Sequence, residues 1–236
     1  MIYSDLKYDH QSVINFDDLH TETKTVLNFI GKKKTVLEVG CHSGLLSEWL
    51  QKQSCIVTGI DINEFALDKA RLYQKETILG NIEKEEIWEL LSTQKFDTIT
   101  FVHVLEHLVD PWSVVKNAIK LLNENGAIII GLPNFSNAKD RFNIFFGNFE
   151  YTEIGVLDIT HLRFFNYKTA LELIDKSGLI VDEYYSSTKV NPVREFIDHL
   201  PFFCHFRFFL KKKNPFILPF SKNITDVVML FKCKKK

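Results

Sequence analysis

Hydrophobic residues follow two different periods along the first half of the chain. Short runs of β-branched and aliphatic residues, typical of buried parallel strands, are separated by stretches in which apolar residues recur at helical spacing. The short runs predict strands near residues 35–39, 55–60, 76–79, 97–102 and 126–131, with helices between them. This alternation predicts an α/β fold in which the carboxyl ends of parallel strands meet at one edge of a sheet.

The second half departs from simple alternation. A helix is predicted over 168–177, followed by a sixth strand, and a last strand is predicted over 226–231. The segment 133–166, rich in Asn and Phe, is expected to be a lid or substrate loop, because loops of this length are usually functional or disordered. Its phenylalanines are interpreted as a mixture of lid core and pocket wall: Phe135, Phe142, Phe145, Phe146 and Phe149. The segment 192–222 is predicted to be an inserted cap rich in basic and aromatic residues.

The turn after the first strand carries the first indication of chemistry. Gly40 and Gly44 permit a tight turn that brings a ligand close to the backbone. A dinucleotide fingerprint would need glycines where His42 and Leu45 stand, so the pyrophosphate cradle is incomplete. The carboxylate of Glu38 at the end of the strand suits a cationic ligand better than an anionic one. S-adenosyl-L-methionine carries an ammonium and a sulfonium group and no phosphate.

The segment Glu38-Val-Gly40-Cys-His42-Ser-Gly44 resembles the first motif of class I S-adenosylmethionine-dependent methyltransferases, with His42 in place of the middle glycine. The resemblance implies a Rossmann-like, doubly wound and mostly parallel seven-stranded sheet whose last strand is antiparallel. It also implies that Asp61 binds the ribose hydroxyls and that Asn81 accepts from the adenine amino group. The expected cofactor contacts are Glu38, Gly40, Cys41, His42, Gly44, Asp61, Ile62, Asn81, Ile82, Val102 and His103.

Two further segments indicate which subgroup of these methyltransferases the chain resembles. VLEHLVDP, residues 104–111, resembles the subgroup that includes ubiquinone-pathway O-methyltransferases and methyltransferases of glycan biosynthesis. DITHLRFFNY, residues 158–167, resembles a segment common in the glycan-associated members. This resemblance implies that His161 and Arg163 lie near the edge of the sheet where the cofactor binds. The similarity covers most of residues 25–187. The alternative is an ordinary doubly wound domain that has no transferase activity or binds another nucleotide.

Methyl transfer to an alcohol benefits from a base that takes the hydroxyl proton. A histidine with an ordinary pKa can act as a base near neutral pH, and a carboxylate can orient it. His161 is the first candidate and His103 the second, with Glu106 as the orienting carboxylate. A purely structural hydrogen-bonding role is the alternative for each histidine.

The same groups also offer a possible set of metal ligands. His103, Glu106 and His107, with His161 as a fourth candidate, provide imidazole and carboxylate ligands that could hold a divalent ion and lower the pKa of an acceptor hydroxyl. This is a minority hypothesis, and no metal can be assigned from the residues.

The length of the chain and its cysteine content limit the number of domains and indicate the cellular compartment. With 236 residues, 45% of them hydrophobic, the chain can bury one large core, so we predict one methyltransferase domain over 1–236. Cys41, Cys55, Cys204 and Cys233 show no paired spacing, which favours a reducing, cytoplasmic setting. The first residues lack the pattern of a leader peptide, and no apolar run reaches the length of a spanning helix, so we expect neither export nor a transmembrane segment.

Charge is distributed unevenly along the chain. Residues 192–236 contain ten Lys or Arg and three Asp or Glu, a net charge of +7, while the preceding 191 residues contain 19 and 27, a net charge of −8. Phenylalanines interleave with the basic residues of 192–222, a composition compatible with peripheral contact at an anionic membrane, although packing onto the sheet or a second subunit is the more common use of such clusters. Nucleic-acid binding is not expected, because the overall charge is −1 and no recognition motif is present.

These observations favour S-adenosylmethionine-dependent O-methylation of a small molecule, a glycan unit or a lipid-linked glycan unit. Two alternatives stay open. One is a quinone-precursor O-methyltransferase at the membrane, and the other is a module that binds S-adenosylmethionine without catalysis. The oligomeric state cannot be read from the residues.

Overall fold

The computed structural model describes residues 20–189 and 222–236. The described strands are β1 Thr35–Val39, β2 Ile56–Asp61, β3 Glu76–Leu79, β4 Phe96–Val102, β5 Leu122–Pro133, β6 Leu179–Lys189 and β7 Asp226–Lys235. The described helices are α1 Thr21–Ile30, α2 Leu45–Lys52, α3 Glu64–Ala70, α4 Glu85–Leu91, α5 Pro111–Lys120, α6 Ala138–Phe145, α7 Tyr167–Lys176 and α8 Lys222–Thr225, with a short 3-10 helix at Leu105–His107.

The strands form one seven-stranded sheet in the order β3-β2-β1-β4-β5-β7-β6. β1 pairs in parallel with both β2 and β4, while β7 lies antiparallel between β5 and β6. This confirms the predicted Rossmann-like sheet with an antiparallel last strand. The strand order reverses between β1 and β4, and open α/β sheets bind ligands beyond the carboxyl ends of the strands at such a point.

Element boundaries differ from the prediction mainly around β5. The helix before β5 ends at Lys120, and β5 begins at Leu122 rather than near Gly126 as predicted. Leu122 already pairs with Phe96, and the register then shifts before the regular ladder resumes. The polar residues 123–125 therefore lie within an irregular part of the strand.

Helices cover both faces of the sheet. On one face, Val26, Leu27 and Ile30 of α1 pack with Leu50 and Leu230 in one cluster of buried side chains. A larger cluster on the other face includes residues of α4, α5 and α7. The apolar side of α1 therefore anchors this helix to the sheet.

Part of the predicted lid is helical, because α6 lies within it. Its aromatic side chains are less buried than expected: Phe145 is 80% exposed, and Phe146 and Phe149 are also exposed. These three therefore do not belong to a lid core, one of the two roles expected for them, whereas Phe165 near the end of the segment is buried.

The predicted cap at 192–222 lies outside the described residues except for its last residue. No helix in the described part of the chain has the length and apolar character needed to cross a bilayer.

Candidate active site

The turn between β1 and α2 lies at the carboxyl edge of the sheet. Gly40 and Gly44 have φ angles of +73° and +79°, and His42, in the place of the middle glycine, also has a positive φ of +44°. Histidine is among the non-glycine residues that adopt this region more readily than most. The backbone N–H of His42 donates to Asp61 at 2.7 Å, so the acid at the end of β2 stabilises the turn.

Glu38 lies beneath this turn and is only 5% exposed. Its carboxylate accepts a hydrogen bond from the Ser47 hydroxyl on α2. Burial raises the pKa of Glu38 to about 7, and the charge of Asp61 adds to the effect, whereas the bond from Ser47 opposes it. The buried position means that Glu38 acts on the shape and electrostatics of the turn.

The other expected cofactor residues surround the same edge. Ile62 is 74% exposed beside Asp61, where an apolar side chain can cover a bound ring. Asn81 is exposed and its side-chain oxygen accepts from the N–H of Glu83 at 2.9 Å. Ile82 is buried, and Val102 is partly buried at the end of β4. The thiol of Cys41 is buried, and its pKa is raised to about 12, mainly by burial, so it stays protonated.

His103 follows β4 and lies between two carboxylates. Its Nε2 is 2.5 Å from Glu22 Oε1 on α1, and its Nδ1 is 3.4 Å from Glu106 Oε1. Desolvation alone would lower its pKa, but the hydrogen bonds and charges of Glu106 and Glu22 outweigh it and raise the pKa to about 10. A ring with a carboxylate at each nitrogen is a cation at neutral pH, which makes His103 a poor proton acceptor.

His161 is brought to the same carboxylate from the lid segment. Its Nδ1 lies 3.1 Å from the carbonyl oxygen of Val156, which fixes the proton on that nitrogen and leaves the Nε2 lone pair free. That Nε2 lies 4.0 Å from Glu106 Oε1. Burial lowers the pKa of His161, with a further contribution from His107, whose ring centroid is 4.8 Å away. His161 is therefore neutral near pH 7 and is better suited than His103 to act as a base.

Glu106, His107 and His161 could also hold a metal ion. One ligand atom from each lies within 4.8 Å of the others. Both carboxylate oxygens of Glu106 are buried without a well-formed hydrogen bond among the described residues, and the Nδ1 atoms of both histidines face backbone oxygens, of Thr160 and Val156. Imidazoles oriented in this way are typical of metal ligands. His103 faces Glu106 but is not a member of this group.

A cavity of about 490 Å³ opens beside the lid, between α6 and the loop that leads to His161. Val156, whose carbonyl holds His161, lies in its wall. The volume of this cavity falls in the range of small-molecule binding sites. The polar lining side chains are Asn137, Lys139, Asp140, Asn143, Asn148, Glu150 and Thr152.

Two residues of this site were not predicted. Ser47 stands at a buried position on the inner face of α2, and a small polar residue there is the one signal that could have drawn attention to it. Glu22 is separated from His103 by 81 residues, so no local pattern connects them.

Comparison with known proteins places the chain among methyltransferases. A ubiquinone biosynthesis O-methyltransferase from Histophilus somni is 38% identical over 133 residues, covering 51% of this chain and 56% of that protein. One from Coxiella burnetii is 40% identical over 106 residues, covering 44% of this chain and 45% of that protein. The chain spans about half the length of these curated relatives.

Solved structures share the fold at low sequence identity. A S-adenosylmethionine-dependent methyltransferase from Archaeoglobus fulgidus superposes with a TM-score of 0.60 at 17% identity, covering 93% of this chain and 96% of that one. An N-methyltransferase from Bradyrhizobium japonicum in complex with S-adenosyl-L-homocysteine gives a TM-score of 0.53 at 17% identity, covering 91% and 85%. The family model described as a methyltransferase domain matches residues 14–184, more than half of the sequence. The chain therefore belongs to the methyltransferase domain family, as its class I S-adenosylmethionine-dependent motif predicts.

Proposed function

We propose that the chain is an S-adenosylmethionine-dependent O-methyltransferase acting on a small hydroxylated acceptor. The observation that carries the proposal is the meeting of two groups of residues at one edge of the sheet. The turn over Glu38 and the acid Asp61 belong to the cofactor side, and the buried Glu106 with His161 provides a base on the other.

The proposed reaction uses few protein groups. The acceptor oxygen attacks the methyl carbon of the cofactor as the carbon–sulfur bond breaks, and S-adenosyl-L-homocysteine leaves. His161 Nε2 takes the acceptor proton, and the Glu106 carboxylate 4.0 Å away stabilises the imidazolium that forms. Much of the rate enhancement comes from holding the two reactants aligned.

The exposed groups at the carboxyl edge of the sheet each have a proposed role in binding the cofactor. Asp61 accepts from the ribose hydroxyls, Asn81 accepts from the adenine amino group, and the apolar side chain of Ile62 covers the rings. The backbone at Ile82 and Val102 completes the contacts. When ionised, Glu38 supplies a negative charge beneath the cationic methionine part, whose positive charge favours the ionised form.

The acceptor is proposed to be a small molecule or a glycan unit, and the cavity that Val156 lines beside the lid supports this choice. Its amide, carboxylate and hydroxyl lining offers both donors and acceptors to a hydroxylated ligand. Two observations support the alternative acceptor, a quinone precursor at a membrane. The chain is similar to ubiquinone biosynthesis O-methyltransferases, and residues 192–222 are rich in basic and aromatic residues.

A divalent ion would change the role of His161, because its Nε2 cannot hold a metal and take a proton at once. When bound by Glu106, His107 and His161, such an ion would acidify the acceptor hydroxyl. We propose the metal-free use of His161, so turnover is expected to survive chelation. Loss of turnover in chelator, restored by a divalent ion, would favour the metal instead.

The acceptor is tested by transfer of labelled methyl groups from S-adenosyl-L-methionine to two panels, methyl glycosides and catechols, with product identification by mass spectrometry. Label in an ether of a glycoside supports the proposal. Preference for catechols, together with sedimentation of the chain with phosphatidylglycerol vesicles, would support the membrane alternative. Cofactor binding without transfer to either panel would favour a non-catalytic module.

A further inference from the structure

A chain of polar side chains runs across three strands directly below residues 40–44, the turn between β1 and α2 that we call the cofactor turn. Glu38 in β1, Gly59 in β2 and Thr77 in β3 are side by side in the sheet, because Glu38 pairs with Gly59 and Gly59 pairs with Thr77. The absence of a side chain at Gly59 leaves space between the two polar residues. The side-chain amide of Gln74 occupies that space, as the next contacts show.

Gln74 connects the two sides of this gap. Its Nε2 donates to the Ser47 hydroxyl at 2.8 Å, and its Oε1 accepts from the Thr77 hydroxyl at 2.8 Å. Ser47 in turn donates to Glu38. The four side chains therefore form a continuous relay from β3 to β1, and Ser47, at its centre, is fully buried.

The relay closes the base of the cofactor turn. Glu38 comes just before the turn and Ser47 just after it, so their hydrogen bond joins the two ends of residues 40–44. The end of α3 also supports the turn, because a Cβ on Gly44 would lie 2.8 Å from Cα of Ala70. Gln74 follows that helix and orients the Ser47 hydroxyl, which can then donate only to Glu38.

Gly59 must lack a side chain for this arrangement to exist. A Cβ at this position would lie 2.2 to 2.4 Å from three atoms of the Gln74 amide group. The amide is the end of a flexible side chain and can move aside, so Gly59→Ala is expected to fold while displacing Gln74 from Ser47. Two separate substitutions can thus break the same hydrogen bond.

We propose that Gln74 is a positioning residue for the cofactor: through Ser47 it fixes the Glu38 carboxylate and the shape of the turn that receives the methionine part of S-adenosyl-L-methionine. Neither Gln74 nor Ser47 need contact the ligand. The proposal rests on that cofactor being the ligand of this turn. Asp61 and the Cys41 thiol are the titratable groups that face Glu38, and the thiol also hydrogen-bonds to the Gln74 side chain, which adds a second link between Gln74 and the turn.

The test compares Gln74→Met, Gly59→Ala and the double variant with wild type by calorimetric titration with S-adenosyl-L-homocysteine. Each single change is expected to raise the Kd about fivefold, the value of one hydrogen bond, and the double variant is expected to bind no worse than either single one. In turnover, the KM for the methyl donor should rise while kcat and the KM for the acceptor stay unchanged. The matched control is Gln51→Met on the exposed side of α2, which should bind as wild type does.

A ligand-free readout separates this proposal from the cofactor assignment. Hydrogen exchange of the backbone amides in 40–45 should be faster in Gln74→Met and Gly59→Ala than in wild type or Gln51→Met. Unchanged exchange, unchanged affinity or additive losses in the double variant would overturn the relay. If wild type binds no S-adenosyl-L-homocysteine, the cofactor assignment fails, and with it the proposed role of Gln74.

Discussion

At the scale of single residues, the groups that surround a side chain decide its chemistry more than residue type does. The sequence pointed to Glu38, His103 and His161 as functional groups, but their protonation states depend on neighbours that are distant along the chain. His103 is held as a cation by Glu22 and Glu106, whereas burial keeps His161 neutral. No pattern of residue types in the sequence could have separated these two histidines.

The raised pKa of Glu38 predicts a dependence of stability on pH. Its pKa rises from 4.5 to about 7 on folding, so between these values the folded state holds a proton that the unfolded state has released. The contribution of Glu38 to stability is therefore lost as the pH rises through this window. Relative to wild type, Glu38→Gln is expected to gain about 2 kcal/mol in free energy of unfolding between pH 5 and pH 8.

Urea unfolding of both proteins at the two pH values measures this difference. Glu48→Gln, the same change at a more exposed position on α2, serves as the control and should show no such gain. If the Glu38→Gln and wild-type stabilities change in parallel with pH, Glu38 is ionised throughout and the account of its burial is wrong.

Replacing the proposed base gives a second prediction for a single residue. His161→Asn retains a donor near the Val156 carbonyl but removes the proton acceptor, so kcat is expected to fall about 100-fold or more. The Kd for S-adenosyl-L-methionine should not change, because His161 is assigned no cofactor contact. His20→Asn, at an exposed position before α1, is the control. A kcat within about threefold of wild type would exclude His161 as the base.

At the scale of elements, hydrophobic periodicity was sufficient to predict the strands, because buried parallel strands read as short apolar runs. Periodicity failed where pairing with a neighbouring strand sets the boundary of an element. Leu122 belongs to β5 only because Phe96 pairs with it across an irregular register. Composition also could not divide the lid phenylalanines between core and pocket wall, since it does not reveal that Phe145 is exposed.

The packing of the cofactor turn against α3 predicts a difference between two glycines. Gly44 and Gly147 have nearly the same positive φ, but a Cβ on Gly44 would lie 2.8 Å from backbone of Ala70, while one on Gly147 would meet nothing within 4 Å. Gly147→Ala is expected to cost about 1 kcal/mol in free energy of unfolding, from backbone strain alone.

Gly44→Ala is expected to cost at least about 2 kcal/mol more than Gly147→Ala, because the clash involves backbone atoms that cannot rotate away. It should also weaken cofactor binding, since the turn must shift. Thermal unfolding of the two variants provides the comparison. Equal losses of stability would mean that α3 does not support the turn.

At the scale of the whole molecule, the sheet collects groups from distant parts of the sequence at one edge. β1, β2 and β4 bring Glu38, Asp61 and His103 together, which follows from parallel strands and was predictable from their order. The position of His161 required the lid to fold back onto Glu106, whose backbone carbonyl accepts from the N–H groups of Leu162 and Arg163. That contact links the lid to the loop that carries Glu106. From the sequence, only the family resemblance indicated that these two segments lie near each other.

We expect this edge of the sheet to bind S-adenosyl-L-methionine and not a dinucleotide. Calorimetric titration of wild type, Asp61→Ala and Asp68→Ala with S-adenosyl-L-methionine and with NAD distinguishes the two ligands. Wild type and the exposed control Asp68→Ala should bind the methyl donor alike, Asp61→Ala should bind it at least about tenfold more weakly, and NAD should not bind. Binding of NAD, or an Asp61→Ala variant that binds the methyl donor as tightly as wild type, would contradict the account.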